Sequence, residues 1–267
     1  MDNNKTFDVV IPVAKEDVPL AIKNIPYIFK MLSPRKIIFI GSKDSESSFP
    51  LNEQLEFINE DEIYKDMKLN TIQSIMYNIA GNTHSSGWYF QQFLKMSYAT
   101  ICKEDHYVIW DADTIPLNVI SFFDDRSGKY LFTMKTEHHK PYFATLEKLF
   151  NGEVKKYNHQ SFIAEHMIID TKIMIELIKK IESNKELKGN YFYEKIMYSI
   201  DVKNIQGAGF SEFETYGNYV MKYHSDKYAM RELRSLREGR VYFGMSPTDD
   251  ELLKASKNFD LISIESW

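Results

Sequence analysis

Apolar positions follow two rhythms along this chain, short unbroken runs and helical spacings, and in the first third these alternate. Residues 7–13 (FDVVIPV), 36–40 (KIIFI) and 55–58 (LEFI) are short apolar runs closed by a proline or a polar loop, which predicts strands. Between the first two, Val18, Ala21, Ile22, Ile25, Ile28, Phe29 and Leu32 recur at helical spacing. They predict a helix over 18–32, with Asp17 as its cap and Pro19 in its first turn. Pro26, inside that helix, predicts a kink or break because it lacks a backbone N–H. The alternation argues for a parallel sheet with crossover helices.

Farther along, 88–102 reads as a helix with one strongly apolar face, and 107–110 as a buried strand. Strands are predicted at 130–134, 161–170, 241–243 and 261–264, and helices at 171–181, 191–200 and 212–223. The polar stretch 42–48 reads as a loop. The expected fold class is α/β, in one domain: a nucleotide-binding front half over about 7–115 and a more mixed back half over about 116–267.

Composition narrows the function. A net charge of −5 argues against nucleic acid as the partner. One cysteine excludes an internal disulfide. The polar start carries no signal-peptide pattern, and no apolar run approaches the length of a membrane span. The expected location is cytoplasmic.

The candidate chemistry lies in Tyr107-Val108-Ile109-Trp110-Asp111-Ala112-Asp113-Thr114-Ile115-Pro116. A buried strand delivers two carboxylates, one residue apart, at the C-terminal rim where open α/β sheets place ligands. Short carboxylates there suit a hard divalent cation that also carries phosphate oxygens. Trp88, Gln91, Gln92 and Lys95 share one face of the predicted helix, and an aromatic, two amides and a cation are an unusual core set.

These segments, with Val10-Ile11-Pro12-Val13, Ser86-Gly87-Trp88-Tyr89-Phe90-Gln91-Gln92-Phe93-Leu94-Lys95, Glu165-His166-Met167 and Ser211-Glu212-Phe213-Glu214-Thr215-Tyr216-Gly217, resemble a GT-A glycosyltransferase. The resemblance is to the bacterial capsule- and lipopolysaccharide-type transferases grouped under a domain of unknown function, and it covers residues 7 to about 224. It implies a Rossmann-like mixed sheet flanked by helices and transfer from a nucleotide-sugar donor, UDP-linked by preference. It also implies a glycan or lipid-linked saccharide acceptor, in bacterial surface polysaccharide synthesis. A lipid-linked acceptor would bring the chain to the inner face of the membrane as a peripheral protein. By the same resemblance, Pro12, Val13, Ala14 and Asp44 cradle base and ribose, while Trp88, Gln91, Gln92, Lys95 and Asp111 contact donor sugar or phosphate. Asp111 and Asp113 hold Mn²⁺ or Mg²⁺, with His224 as third ligand and His166 and His138 as alternatives. Glu212 or Glu214 is the base of an inverting transfer, with Glu165-His166 as the rival.

Two other readings compete. Val108 to Thr114 also fits the hydrophobic-D-x-D-x-T signature of haloacid-dehalogenase-type phosphatases, which would make Asp111 a nucleophile and require a second acidic pair, for which Asp249-Asp250 is the candidate. A noncatalytic nucleotide-sugar or glycan-binding protein would keep the fold without turnover.

Overall fold

The computed structural model describes residues 5–157 and 159–265. In chain order the principal elements begin with β1 (Asp8–Pro12), α1 (Val18–Leu32), β2 (Lys36–Gly41), β3 (Leu55–Asn59), α2 (Leu69–Ala80) and α3 (Ser86–Ser97). Then follow β4 (His106–Trp110), β5 (Thr114–Pro116), β6 (Tyr130–Thr133), α4 (Lys140–Leu149), β7 (His166–Asp170), α5 (Thr171–Ser183), α6 (Phe192–Ser199) and α7 (Glu212–Tyr223). The chain continues through β8 (Tyr228–Arg231), β9 (Ser235–Leu236), α8 (Gly239–Phe243), α9 (Asp249–Ala255) and β10 (Leu261–Ser263).

Five strands form the central sheet in the order β3-β2-β1-β4-β7. The first four are mutually parallel, and β7 closes the edge antiparallel to β4, with Trp110 opposite His166. All five residues of β1, β4 and β7 are buried, as unbroken apolar runs require when helices cover both faces. The mixed α/β sheet flanked by helices is thus the expected architecture. One core spans both halves of the chain. A smaller cluster of Leu20, Ile115, Leu117, Leu252, Ala255, Ile262 and Ile264 joins α1 to the returning C-terminal segment. That return is made by β10, which pairs antiparallel with β5 and parallel with β9.

Several local expectations need correction. Residues 241–243 are helical, within α8, and not a strand. Val241 and Tyr242 are 78% and 66% exposed, and a Val-Tyr-Phe run without a partner strand has nothing to pair with. α1 runs unbroken through Pro26, which sits on its exposed face where water can serve the carbonyl one turn back. Asp17 makes no side-chain cap there. Only 166–170 of the stretch 161–170 joins the sheet, and 43–48 forms a 3-10 helix, not an open loop. The helix expected over 88–102 starts earlier, at Ser86, and ends at Ser97. α2 and α4 bury only three or four side chains each, too sparse a stripe to announce a helix in the sequence.

α7 packs so tightly that Gly217 has no room for a side chain: a Cβ there would run into three ring carbons of the buried Phe162. Gly217→Ala should therefore destabilise the fold by about 2 kcal/mol, although alanine is the better helix former. Urea unfolding checks this, and an unchanged or raised midpoint would show that Phe162 can yield.

Candidate active site

The site starts where β4 ends. After Trp110 the chain makes a tight turn, with Thr114 N donating to the Asp111 carbonyl at 3.1 Å and the Trp110 indole N–H donating to the Thr114 carbonyl at 2.8 Å. Three other segments fix the turn from outside. Asn24 of α1, 1% exposed, donates to the carbonyls of Ala112 at 3.1 Å and Thr114 at 3.2 Å. Asp111 N donates to the Glu165 carbonyl at 3.0 Å, and Ile264 N to the Asp113 carbonyl at 2.9 Å. With its four carbonyls and the Asp111 and Thr114 N–H groups bonded, the turn is held fixed as it presents its two side chains.

Both carboxylates line a cavity of about 710 Å³, a volume in the range of small-molecule sites. Seven acidic side chains line it, Glu16, Asp17, Asp111, Asp113, Glu137, Glu212 and Glu265, against two cations, Lys95 and Arg237. Each cation is already engaged. The Lys95 ammonium, buried in α3, lies 2.7 Å from Asp111 Oδ1 and 3.0 Å from Glu212 Oε1. Burial alone would depress its pKa, but the charges of Asp111 and Glu212 outweigh burial and hold it above the ordinary lysine value. Arg237 joins Glu137 at 2.7 Å and Glu265 at 2.9 Å, and approaches the buried Glu165 at 3.8 Å.

Asp113 has no such partner. Burial, and then the neighbouring Asp111, Glu265 and Asp17 carboxylates, push its carboxyl up to about 7. Asp17 is raised by burial and by Glu16, and Glu265 is raised by burial, with Arg237 opposing. One end of the cavity thus carries uncompensated negative charge. Among the described residues no three His, Cys, Asp or Glu side chains are arranged to hold a metal ion. A pair of carboxylates is nonetheless the donor set with which Mg²⁺ is commonly held when substrate phosphates supply further oxygens. Asp111 and Asp113 fit an ion of that kind.

Of the residues singled out in the sequence, Trp88, Gln91, Gln92, Lys95, Asp111, Asp113, Glu212 and His138 meet at this cavity. The others lie elsewhere. His224 is at the far end of α7, 12 residues and about 18 Å along the axis from Glu212, and pairs with Glu176 at 3.1 Å. That separation removes it from the carboxylate pair. Glu214 is 1% exposed, accepting from Ser161 Oγ at 2.7 Å and Asn218 Nδ2 at 2.9 Å, so it pins the 161–162 segment to α7. His166 is buried, stacked on Trp110 at 5.2 Å and bonded to Thr133 Oγ1 at 2.9 Å; burial, then the charges of Arg231 and Lys135, hold its pKa well below the ordinary histidine value. Neither it nor Glu165 lines the cavity; Ile163 and Ala164 do. Pro12 and Val13 are buried at the end of β1, while Ala14 and Asp44 are exposed, and none of the four lines the cavity. Asp249 and Asp250 open α9 at the surface, so the second acidic pair that a dehalogenase-type site needs is not at the cavity.

Sequence reasoning missed Asn24, Glu137, Tyr142, Arg237 and Glu265, and took Asp17 for a helix cap. An asparagine on the apolar face of a helix was a signal for Asn24. The rest reach the site only through long-range packing.

Two outcomes test this electrostatic arrangement. Lys95→Met leaves two carboxylates without their buried cation and should cost about 3 kcal/mol in urea unfolding, part of it restored by adding Glu212→Gln. Equal stability of the wild type and Lys95→Met would overturn the pairing. Asp113, with its folded pKa above the ordinary 3.8, keeps a proton that the unfolded chain has lost, so its ionisation costs stability as pH rises from about 4 to about 7. Asp113→Asn should raise the unfolding free energy at pH 8 by on the order of 2 kcal/mol, discounted for solvent, and give little gain at pH 4.

Residues 50–234 match the model of a protein family described as a family of unknown function, DUF6492. No curated protein sequence matches the chain. Similar solved structures include an active-site mutant of LgtC, at 11% identity and a TM-score of 0.49, covering 98% of this chain and 88% of that one. Mouse xyloside xylosyltransferase 1 in its apo form is similar at 9% identity and a TM-score of 0.45, covering 97% and 96%. At these scores neither likeness bears on what the chain does. The family match spans more than half of the sequence, and the chain belongs to the DUF6492 family.

Proposed function

We propose that the chain is a metal-dependent glycosyltransferase of GT-A type, moving a sugar from a nucleotide donor, UDP-linked by preference, to a hydroxyl of a glycan or lipid-linked saccharide. The observation that carries this reading is the pair Asp111 and Asp113 at the end of a central strand, in a ligand-sized cavity whose acidity is uncompensated at that end. Such a site repels a bare diphosphate and attracts one that arrives with a divalent cation. A bound Mn²⁺ or Mg²⁺ would neutralise the charge that gathers on the departing nucleoside diphosphate.

The chain's own residues supply the rest. Asp113 and the second oxygen of Asp111 are the ligands offered to the ion. Lys95 fixes Asp111 from behind and holds Glu212 in the same hand, so the two carboxylates keep a set separation. Glu212 is the cavity-lining member of the Glu212/Glu214 pair and is assigned as general base: as the acceptor oxygen bonds to the anomeric carbon and the bond to phosphate breaks, the hydroxyl proton passes to its carboxylate. Asn24 and the backbone of Ile264 keep the Asp111–Asp113 turn from shifting as charge moves. This reading places the work in bacterial surface polysaccharide synthesis. No described helix is long and apolar enough to cross a membrane, so a lipid-linked acceptor would be met at the membrane surface.

Thermal unfolding with UDP, GDP and CDP, each with Mn²⁺ and with EDTA, tests the reading. One nucleotide should raise the midpoint only with metal, and Asp113→Ala should abolish that rise along with transfer and donor hydrolysis. Stabilisation that survives EDTA would sink the metal role, and no response to any nucleotide would sink the transferase.

A further inference from the structure

Trp88 is 37% exposed, and of the exposed large apolar side chains among the described residues only Trp88 and Met245 line the cavity that holds Asp111 and Asp113. Its placement is built. The indole lies edge-on to the buried Tyr89 at 4.9 Å, and the Tyr89 hydroxyl is tied to both Gly207 O and Gly209 N at 3.1 Å. Trp88 also lies nearly parallel to Tyr142, with centroids 6.5 Å apart at 19°. Tyr142 is backed by His139 at 4.6 Å, whose Nε2 is bonded to Ala208 O at 2.7 Å. Two aromatic rings are therefore held in near-parallel planes on the wall of a polar cavity, each backed by a side chain that is hydrogen-bonded to the 207–209 backbone.

The wall stands at a defined distance from the carboxylates. Trp88 and Lys95 are seven residues apart on one face of α3, about 10 Å along its axis. Glu212, bonded to Lys95, lies close enough to Tyr142 for its charge to act on the tyrosine hydroxyl. A chain of contacts thus runs from Asp111 through Lys95 to Glu212, whose charge reaches Tyr142. A pyranose has an apolar face of C–H groups that packs on an aromatic ring, and a polar rim that needs donors and acceptors. Trp88 and Tyr142 offer the first, and Gln91 and Glu137 border them with the second.

We propose that the Trp88–Tyr142 wall is the subsite for the acceptor, a saccharide whose terminal ring stacks on the indole and turns its reacting hydroxyl toward Glu212. This rests on the transferase reading for the word acceptor, but a saccharide site can be detected without it. It also moves Trp88 away from the donor, to which the sequence alone had assigned it.

The test uses the full chain and saturation-transfer NMR with methyl glucosides, methyl galactosides, maltose and lactose, none of which carries an aromatic aglycone. At least one should take saturation at its ring C–H protons. Its affinity should fall about tenfold in Trp88→Ala and by no more than about twofold in Trp88→Phe. The metal-dependent nucleotide stabilisation should survive in Trp88→Ala, and its urea midpoint reports whether the variant is folded. The proposal is overturned if no saccharide in the panel binds, if binding is indifferent to Trp88→Ala, or if Trp88→Ala removes the nucleotide response, since the ring would then be stacking a base. Absence of any nucleotide response in the wild type would defeat the transferase reading alone; saccharide binding that depends on Trp88 would still stand.

Discussion

The arrangement depends first on a single buried ammonium. Lys95 comes from α3, Asp111 from the end of β4 and Glu212 from the first turn of α7, and the cation is the point at which these three elements meet. A buried charge is expensive unless it is paired, and two carboxylates sharing one ammonium leave a net negative charge in a place with little water. The fold tolerates this because each partner is independently held. Glu212 N is bonded to Gln92 Oε1 at 3.0 Å, and Asp111 N to the Glu165 carbonyl. Lys95 is further sandwiched against the Phe213 ring at 4.8 Å. The result is a rigid spacer between a cation-seeking end of the cavity and an aromatic one.

Charge is distributed unevenly by design of the topology. Cations could have been recruited to cancel the acidity, but Arg237 is drawn to Glu137 and Glu265, and Lys135, which does not line the cavity, approaches Glu165 at 3.5 Å. Asp113 is left facing Asp111, Glu265 and Asp17 with no counter-ion. Asp8 is paired with Arg35 and Asp170 with Lys227, whereas Asp113, at a strand end facing other carboxylates, has no counter-ion, the kind of perturbed group that functional sites collect.

Much of this was legible in the sequence because it is local. β1, α1, β2, β3 and β4 follow from unbroken apolar runs and one helical spacing, and α7 begins and ends where its pattern does. The face formed by Trp88, Gln91, Gln92 and Lys95 could be read from a period of 3.6 residues, and the four side chains do meet at one cavity. What could not be read was pairing at a distance. Whether Glu212 or Glu214 turns inward depends on which side of α7 meets α3, and Ser161 and Asn218 decide it by capturing Glu214. His224 looked like a ligand because it follows a site-bearing helix; helix length alone carries it away. The exposed run at 241–243 has strand-like residues and no strand to join.

The antiparallel pairing of β10 with β5 has a consequence for the order in which the molecule can mature. Ile264 holds the backbone of Asp113, and Ser263 bonds Thr114 Oγ1 at 2.7 Å, so the turn that carries the two carboxylates is braced by residues about 150 positions later in the chain. During synthesis, the sheet from β1 to β4 can close long before that brace exists. The turn therefore lacks this brace until residue 264 has been made and has left the ribosome, so the carboxylate pair is among the last parts of the cavity to be fixed.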